Sequence, residues 1–142
     1  MSTIPGILRA KRGGLLSVPP TATVLDALQL MADHNVGALV VMDGDQLVGI
    51  FSERDYARKV VLVGKMSRDT PVAEIMTSAV TTVRPDQSVE ACMALMSTRH
   101  IRHLPVVVEN RVIGIISIGD VVQAEINDQK FMIEQLEQYE HG

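Results

Sequence analysis

Residues 49–55 read GIFSERD, and residues 114–120 read GIISIGD. The two strings lie 65 positions apart, and the match continues on both sides without a gap. The matched pairs include Val18 with Val83, Leu30 with Leu95, Val41 with Val106, and Asp55 with Asp120. A unit of this length is too small to cover its own apolar faces, so a second copy is expected to pack on it. The sequence therefore predicts two related units packed with pseudo-twofold symmetry.

Each copy contains a helical stripe followed by a β-hairpin. Apolar residues recur at helical spacing after a candidate N-cap, Thr23 in the first copy and Ser88 in the second. Two apolar runs then enclose a short turn, Asp43-Gly44-Asp45 or Glu109-Asn110, and such residues accept the positive φ that tight hairpins need.

Further elements complete a β-α-β-β-α order in each copy, which defines an α/β (α+β) fold. Short strands at 15–18 and 81–83 open the copies, and helices follow the hairpins from Arg54 to about Val61 and from Gly119 onward. The predicted organisation is a first repeat with an N-terminal segment at 1–62, a linker at 63–77, a second repeat at 78–125 and a C-terminal amphipathic helix at 126–142. The linker includes a short helix at 72–76 with Thr70 as its cap.

Composition argues against several classes of protein. The net charge of −4 lacks the basic surface that duplex nucleic acid requires, and 3% aromatic content disfavours a base-stacking sheet. The apolar runs are strand-sized, far short of the ~20 residues of a membrane helix. A single cysteine, Cys92, fits a reducing compartment, and the N-terminus lacks the pattern of a signal peptide, so we expect a cytoplasmic protein.

Because of the repeat and its two strand-to-helix strings, the chain resembles a tandem cystathionine-β-synthase (CBS) domain pair, or Bateman module. The stretches SERDYARKV at 52–60 and RHIRHLPV at 99–106 make it most similar to small stand-alone CBS proteins. The resemblance implies adenosine ligands in two clefts between the copies: AMP first, with ADP, ATP, NAD or S-adenosylmethionine as alternatives. It also implies a homodimer that responds to its ligand and modulates a partner protein.

Asp55 and Asp120 are the candidate residues that bind the ribose, because one carboxylate can accept hydrogen bonds from two vicinal hydroxyls. Ser52 and Ser117 precede them at helix starts, where free N–H groups favour a phosphate. Ser-x-x-Asp is also the pattern of a helix capping box, which is the competing interpretation of both pairs. Its repetition in both copies, within the family pattern, favours binding.

Phosphate also needs cations, and two clusters supply them. Arg102 and His103 lie where the family commonly places phosphate contacts, and Arg54 and Arg58 project from the helix after Ser52. Lys59 fits a solvated basic face better.

The two copies differ at these cationic positions. Gly37 and Ala38 stand opposite Arg102 and His103 in the repeat, and Gly119 stands opposite Arg54. We therefore expect either unequal affinities, or one nucleotide site and a second site that is weak or takes a different ligand.

No catalytic residue or metal ligand is predicted, because the strings of phosphoryl, acyl and hydride transfer are absent and His100 and His103 are expected to diverge. The leading hypothesis is a regulatory nucleotide-binding module. The alternatives are an enzyme acting on a nucleotide and a scaffold without ligand.

Overall fold

The structure, a computed structural model, describes residues 1–11 and 14–141. Gly142 of the predicted tail helix lies outside the described residues, as do Arg12 and Gly13 of the segment 1–62. In chain order the elements are α1 (Ile4–Ala10), β1 (Ser17–Val18), α2 (Val24–His34), β2 (Ala38–Asp43), β3 (Gln46–Ser52), α3 (Glu53–Tyr56), a π-helical turn (Ala57–Val61), α4 (Val72–Ile75), α5 (Val89–Arg99), β4 (His103–Val108), β5 (Arg111–Ser117) and α6 (Ile118–His141). The mixed α/β fold is thus confirmed.

The chain forms two compact units. The first-repeat unit comprises Leu15–Thr81 with Glu109–Val112. The second-repeat unit comprises Met1–Gly14, Thr82–Val108 and Ile113–Gly142. The N-terminal segment, grouped with the first repeat on sequence order, thus lies in the unit of the second repeat.

The first-repeat unit is built on a three-stranded sheet in the order β1-β2-β3. Strand β1 runs parallel to β2, and β3 returns antiparallel after a turn in which Gly44 has φ of 61°. The hydroxyl of Thr23 accepts from the Asp26 amide to cap α2, and Asn35 ends this helix in the left-handed conformation. The core of the first-repeat unit contains residues from both the helix and the sheet: Val24, Ala27, Met31, Leu39, Val41 and Phe51.

The second-repeat unit repeats this arrangement around the β4–β5 hairpin. Ser88 caps α5, and His100 ends it with φ of 54°, as Asn35 ends α2. The opening strand predicted at 81–83 is reduced to one bridge between Val83 and Val106. Pro105 stands where the first repeat has Val40, and a proline has no N–H to extend the pairing.

Helix α1 completes the core of the second-repeat unit. Ile4 is fully buried in that core, with Ile7 and Leu8 packed against it. The Ser2 amide and hydroxyl both donate to Asp128 Oδ1, at 3.0 and 2.8 Å. Apolar burial and these hydrogen bonds explain why this segment belongs to a unit so distant in sequence.

One local expectation needs correction. Thr70 does not cap the linker helix: its hydroxyl donates to the Met66 carbonyl, and Pro71 occupies the N-cap of α4. The helix predicted after β3 is present, and it changes from α to π geometry at Ala57. The predicted C-terminal helix is present as part of α6, which runs without interruption from Ile118 to His141. Within the described ranges, no helix has the length and apolarity needed to cross a bilayer.

Candidate functional site

The strand-to-helix junction of the first repeat forms a reciprocal cap. The Asp55 amide donates to Ser52 Oγ at 3.2 Å, and the Ser52 amide donates to Asp55 Oδ2 at 3.0 Å. The Ser52 hydroxyl also donates to Oδ2, at 3.1 Å, which is the third hydrogen bond of this cap. The competing interpretation of the Ser-x-x-Asp pattern, a helix capping box, is therefore present in the structure.

The second oxygen of Asp55 is also engaged. Thr77 donates its hydroxyl to Oδ1 at 3.1 Å, and the Lys59 ammonium lies 3.0 Å from the same atom. The Asp55 side chain is only 8% exposed. Both oxygens thus have partners within the first-repeat unit, and a sugar would have to displace them.

The junction of the second repeat has the same cap with a different environment. The Ser117 amide donates to Asp120 Oδ2 at 2.9 Å, and the Asp120 amide donates to Ser117 Oγ at 3.1 Å. Lys11 donates to Asp120 Oδ2 at 2.8 Å and to the Ile115 carbonyl at 2.8 Å. The two contacts that described residues make with the carboxylate, from the Ser117 amide and from Lys11, both reach Oδ2, and the Asp120 side chain is 21% exposed. Its Oδ1 is the acceptor available to a ligand.

The basic residues that the sequence predicts as phosphate contacts lie in both units. Arg54 and Arg58 lie exposed on the helical segment after Ser52, in the first-repeat unit. Arg102 is exposed and His103 half-buried at the start of β4, in the second-repeat unit.

Gly37 and Ala38 occupy the equivalent place in the first repeat. The Gly37 carbonyl accepts from the Glu53 amide at 3.1 Å, as the Arg102 carbonyl accepts from the Ile118 amide at 2.8 Å. The backbone of the two junctions is therefore alike. Ala38 is buried, so this junction offers no side-chain charge where the second repeat has His103.

His103 has an unusual electrostatic environment. Burial lowers the pKa of its imidazole, and the nearby charges of Lys11 and Arg102 lower it further, while Asp120 opposes them. A neutral imidazole is therefore favoured near pH 7. An anion beside the ring would act in the opposite direction, because it favours the protonated imidazole.

Lys11 lies at the candidate site, and sequence reasoning missed it. It lies before the region in which the two repeats can be matched, and it contacts Asp120 across 109 positions of chain. One signal in the sequence could have indicated it: Lys11 is a basic residue directly after the short apolar segment that forms α1. Only the packing of α1 places it beside the carboxylate.

Comparison with known proteins identifies the class. The model of the CBS domain matches residues 12–62 and 72–127, so both repeats are covered. The chain belongs to the CBS domain family, as a tandem pair.

Individual relatives agree with this assignment. The chain is 40% identical to CBS domain-containing protein CBSX3, mitochondrial, of Arabidopsis thaliana, over 99% of this chain and 73% of that protein. A CBS-domain protein of Burkholderia ambifaria has a similar structure, with 49% identity, a TM-score of 0.85 and coverage of 90% of this chain and 96% of that one. A CBS domain protein of Pyrobaculum aerophilum, solved in complex with AMP, matches with 28% identity, a TM-score of 0.72 and coverage of 80% and 88%.

Proposed function

We propose that this CBS-pair protein is a regulatory module that binds an adenosine nucleotide, AMP or ADP, at the Asp120 junction. The observation that carries the proposal is the carboxylate of Asp120, which keeps Oδ1 available at a partly exposed helix start. The AMP complex of the Pyrobaculum aerophilum relative supports the class of ligand.

The chemistry of the junction suits the ribose and the first phosphate of such a nucleotide. Asp120 accepts hydrogen bonds from the ribose hydroxyls, which bind a carboxylate more strongly than a neutral acceptor. The start of the 24-residue helix α6 favours an anion, as do the charges of Lys11 and Arg102. A phosphate beside His103 favours the protonated form of its imidazole.

The first-repeat junction is proposed to bind more weakly. Asp55 accepts from Ser52 and Thr77 and pairs with Lys59, so a ribose gains little there before these contacts break. Arg54 and Arg58 remain candidates for phosphate contacts on this unit. The expected result is two unequal affinities.

Binding regulates only if the ligand favours one conformation over another, by no more than its differential affinity. We propose that the protein is a homodimer that transmits this preference to a partner protein. Cys92 is a buried free thiol whose pKa is raised by burial, which suits the cytoplasm or another reducing compartment.

Calorimetry with Asp120→Asn tests the ribose assignment. The amide keeps the shape of the side chain but removes the charge, so AMP affinity should fall at least about tenfold. Asp86→Asn is the matched control, because it removes the same charge from an exposed ion pair with Arg84. AMP binding by Asp120→Asn within about twofold of the unaltered protein would refute the proposal.

The same protein preparation tests the two alternatives. An enzyme would convert ATP, and chromatography after prolonged incubation would reveal the product. An empty scaffold would give no thermal shift with AMP, ADP, ATP, NAD or S-adenosylmethionine. A bound ligand at 100 times its Kd would stabilise the fold by about 2.7 kcal/mol.

A further inference from the structure

A groove runs along α6 beside α1, within the second-repeat unit. Its volume is about 510 Å³, inside the range of about 300–1,000 Å³ typical of small-molecule sites. The residues that line it include Gly6, Arg9, Lys11, Asp120, Gln123 and Asn127. Asp120 and Asn127 are seven residues apart on one helix, so the groove continues roughly 10 Å beyond the carboxylate.

The polar groups of the groove suit a sugar followed by phosphate. Asp120 accepts sugar hydroxyls at one end, and the Lys11 ammonium lies beside it. Gln123 Nε2 donates to Asn127 Oδ1 at 2.9 Å, which orients the Asn127 amide and leaves its own N–H groups to donate. Arg9 adds a guanidinium, the group best suited to bidentate phosphate binding.

Arg9 lies in the last turn of α1 and lines the groove. A Cβ placed on Gly6 would lie 3.9 Å from Arg9 Nη2, so the guanidinium lies over the Gly6 position. Among residues 1–11 and 14–141, no carboxylate lies within ion-pairing distance of Arg9.

We infer that this groove binds the second phosphate of a nucleoside diphosphate, with Arg9 as the residue that contacts it. The inference rests on the proposed function, since Asp120 anchors the ribose of the same ligand. It predicts that ADP binds more tightly than AMP. Arg9 would then set the preference between nucleotides, while Asp120 sets the affinity for both.

A simpler role for Arg9 must be separated from this one. Arg9 lies in the last turn of α1, where a cation stabilises the helix dipole. Arg99 lies in the last turn of α5 and does not line the groove. Arg99→Gln therefore removes the same charge from the same kind of position, and it is the matched control.

Calorimetry with AMP and ADP compares the unaltered protein, Arg9→Gln and Arg99→Gln. We expect ADP to bind the unaltered protein at least about fivefold more tightly than AMP. Arg9→Gln should lower ADP affinity about tenfold and leave AMP affinity within about twofold. Arg99→Gln should change neither. If Arg9→Gln fails to fold, Arg9→Lys keeps the charge without the bidentate geometry, and it should lower the preference for ADP at least about threefold.

Failure of the inference and failure of the proposed function have different outcomes. Equal affinities of AMP and ADP for the unaltered protein, or equal effects of the two arginine variants, would overturn the role of Arg9 alone. Retention of the full ADP preference by Arg9→Lys would also count against it. Absence of binding of both nucleotides would refute the proposed function, and the inference with it.

Discussion

Asp55 and Asp120 occupy equivalent positions in the two repeats, yet their surroundings differ. Asp55 is almost fully buried, and both of its oxygens have partners in its own unit. Asp120 is partly exposed, and its contacts from described residues reach one oxygen. The first acid therefore contributes mainly to stability, and the second is better placed to bind.

Replacing each acid by alanine should separate these roles. Asp55→Ala leaves the Ser52 amide and Thr77 hydroxyl without their acceptor in a buried place, which costs about 1–3 kcal/mol. Asp120→Ala should lower the free energy of unfolding by less, because water can reach the donor groups that lose their acceptor. Urea unfolding of both variants measures the difference. A larger loss for Asp120→Ala would show that the roles are reversed.

His103 should make stability depend on pH. Burial lowers its pKa in the folded protein, so below about pH 6.5 the unfolded chain takes up the proton first. The contribution of His103 is therefore fully present above pH 6.5, and it is lost as pH falls toward the lowered pKa of the folded state. We expect His103→Gln to flatten the decline in unfolding free energy between pH 7 and 5.

Chemical unfolding at several pH values measures this slope. The exposed His34→Gln, in the last turn of α2, is the control for loss of a histidine. The explanation fails if His103→Gln keeps the slope of the unaltered protein. Carboxylates that titrate over the same range are common to all three proteins, so the difference between slopes isolates His103.

Residue roles could be predicted where the contact is local. Thr23 and Ser88 cap the helices that follow them, because a cap depends on an amide three positions away. Thr70 has the same appearance in the sequence, but its hydroxyl donates backward to Met66. Lys11 could not be assigned, because its partner comes from the far end of the chain.

At the scale of elements, α1 and α4 cover matching places on the two sheets. Gly49 and Gly114 are equivalent positions on β3 and β5. A Cβ on Gly49 would collide with Met76 and lie 3.1 Å from the Thr77 carbonyl. A Cβ on Gly114 would lie 2.6 Å from Leu8 Cδ2. Each glycine therefore allows a short helical segment to approach its strand closely.

Alanine at these glycines should have unequal costs. Gly49→Ala meets a backbone carbonyl as well as Met76, so neighbouring backbone must shift, at a cost of about 1–3 kcal/mol. Gly114→Ala meets only the flexible end of Leu8, which can rotate away. We therefore expect thermal unfolding at a lower temperature for Gly49→Ala than for Gly114→Ala. Equal midpoints would contradict this account.

The sequence did not predict α1 as a helix, and the reason is physical. Its seven residues include Pro5 and Gly6, and a helix this short is marginal without packing. Packing of Ile4, Ile7 and Leu8 on the second-repeat core supplies the stabilisation, although the rest of that core begins only at Val83. The repeat could be predicted because aligning the sequence with itself requires no knowledge of long-range packing.

At the scale of the whole molecule, the end of α6 presents an apolar surface that the chain leaves exposed. We define the tail stripe as Val122, Ile126, Ile133 and Leu136, which recur at spacings of three, four or seven residues and so share a helix face. Ile133 and Leu136 are 55% and 63% exposed. Exposed apolar surface of this kind marks an interaction site.

The proposed homodimer gives the tail stripe an occupant, a second copy of the chain. Two glutamates in the stripe, Ile133→Glu with Leu136→Glu, would place charges in a twofold contact that repeats them on both copies. We expect the mass measured by sedimentation equilibrium to fall from dimer to monomer. Gln135→Glu with Gln138→Glu adds the same charge on the opposite face of α6, and it should leave the mass unchanged. A dimer that survives the stripe variant would show that the stripe does not form the dimer contact, and a monomeric unaltered protein would refute the dimer itself.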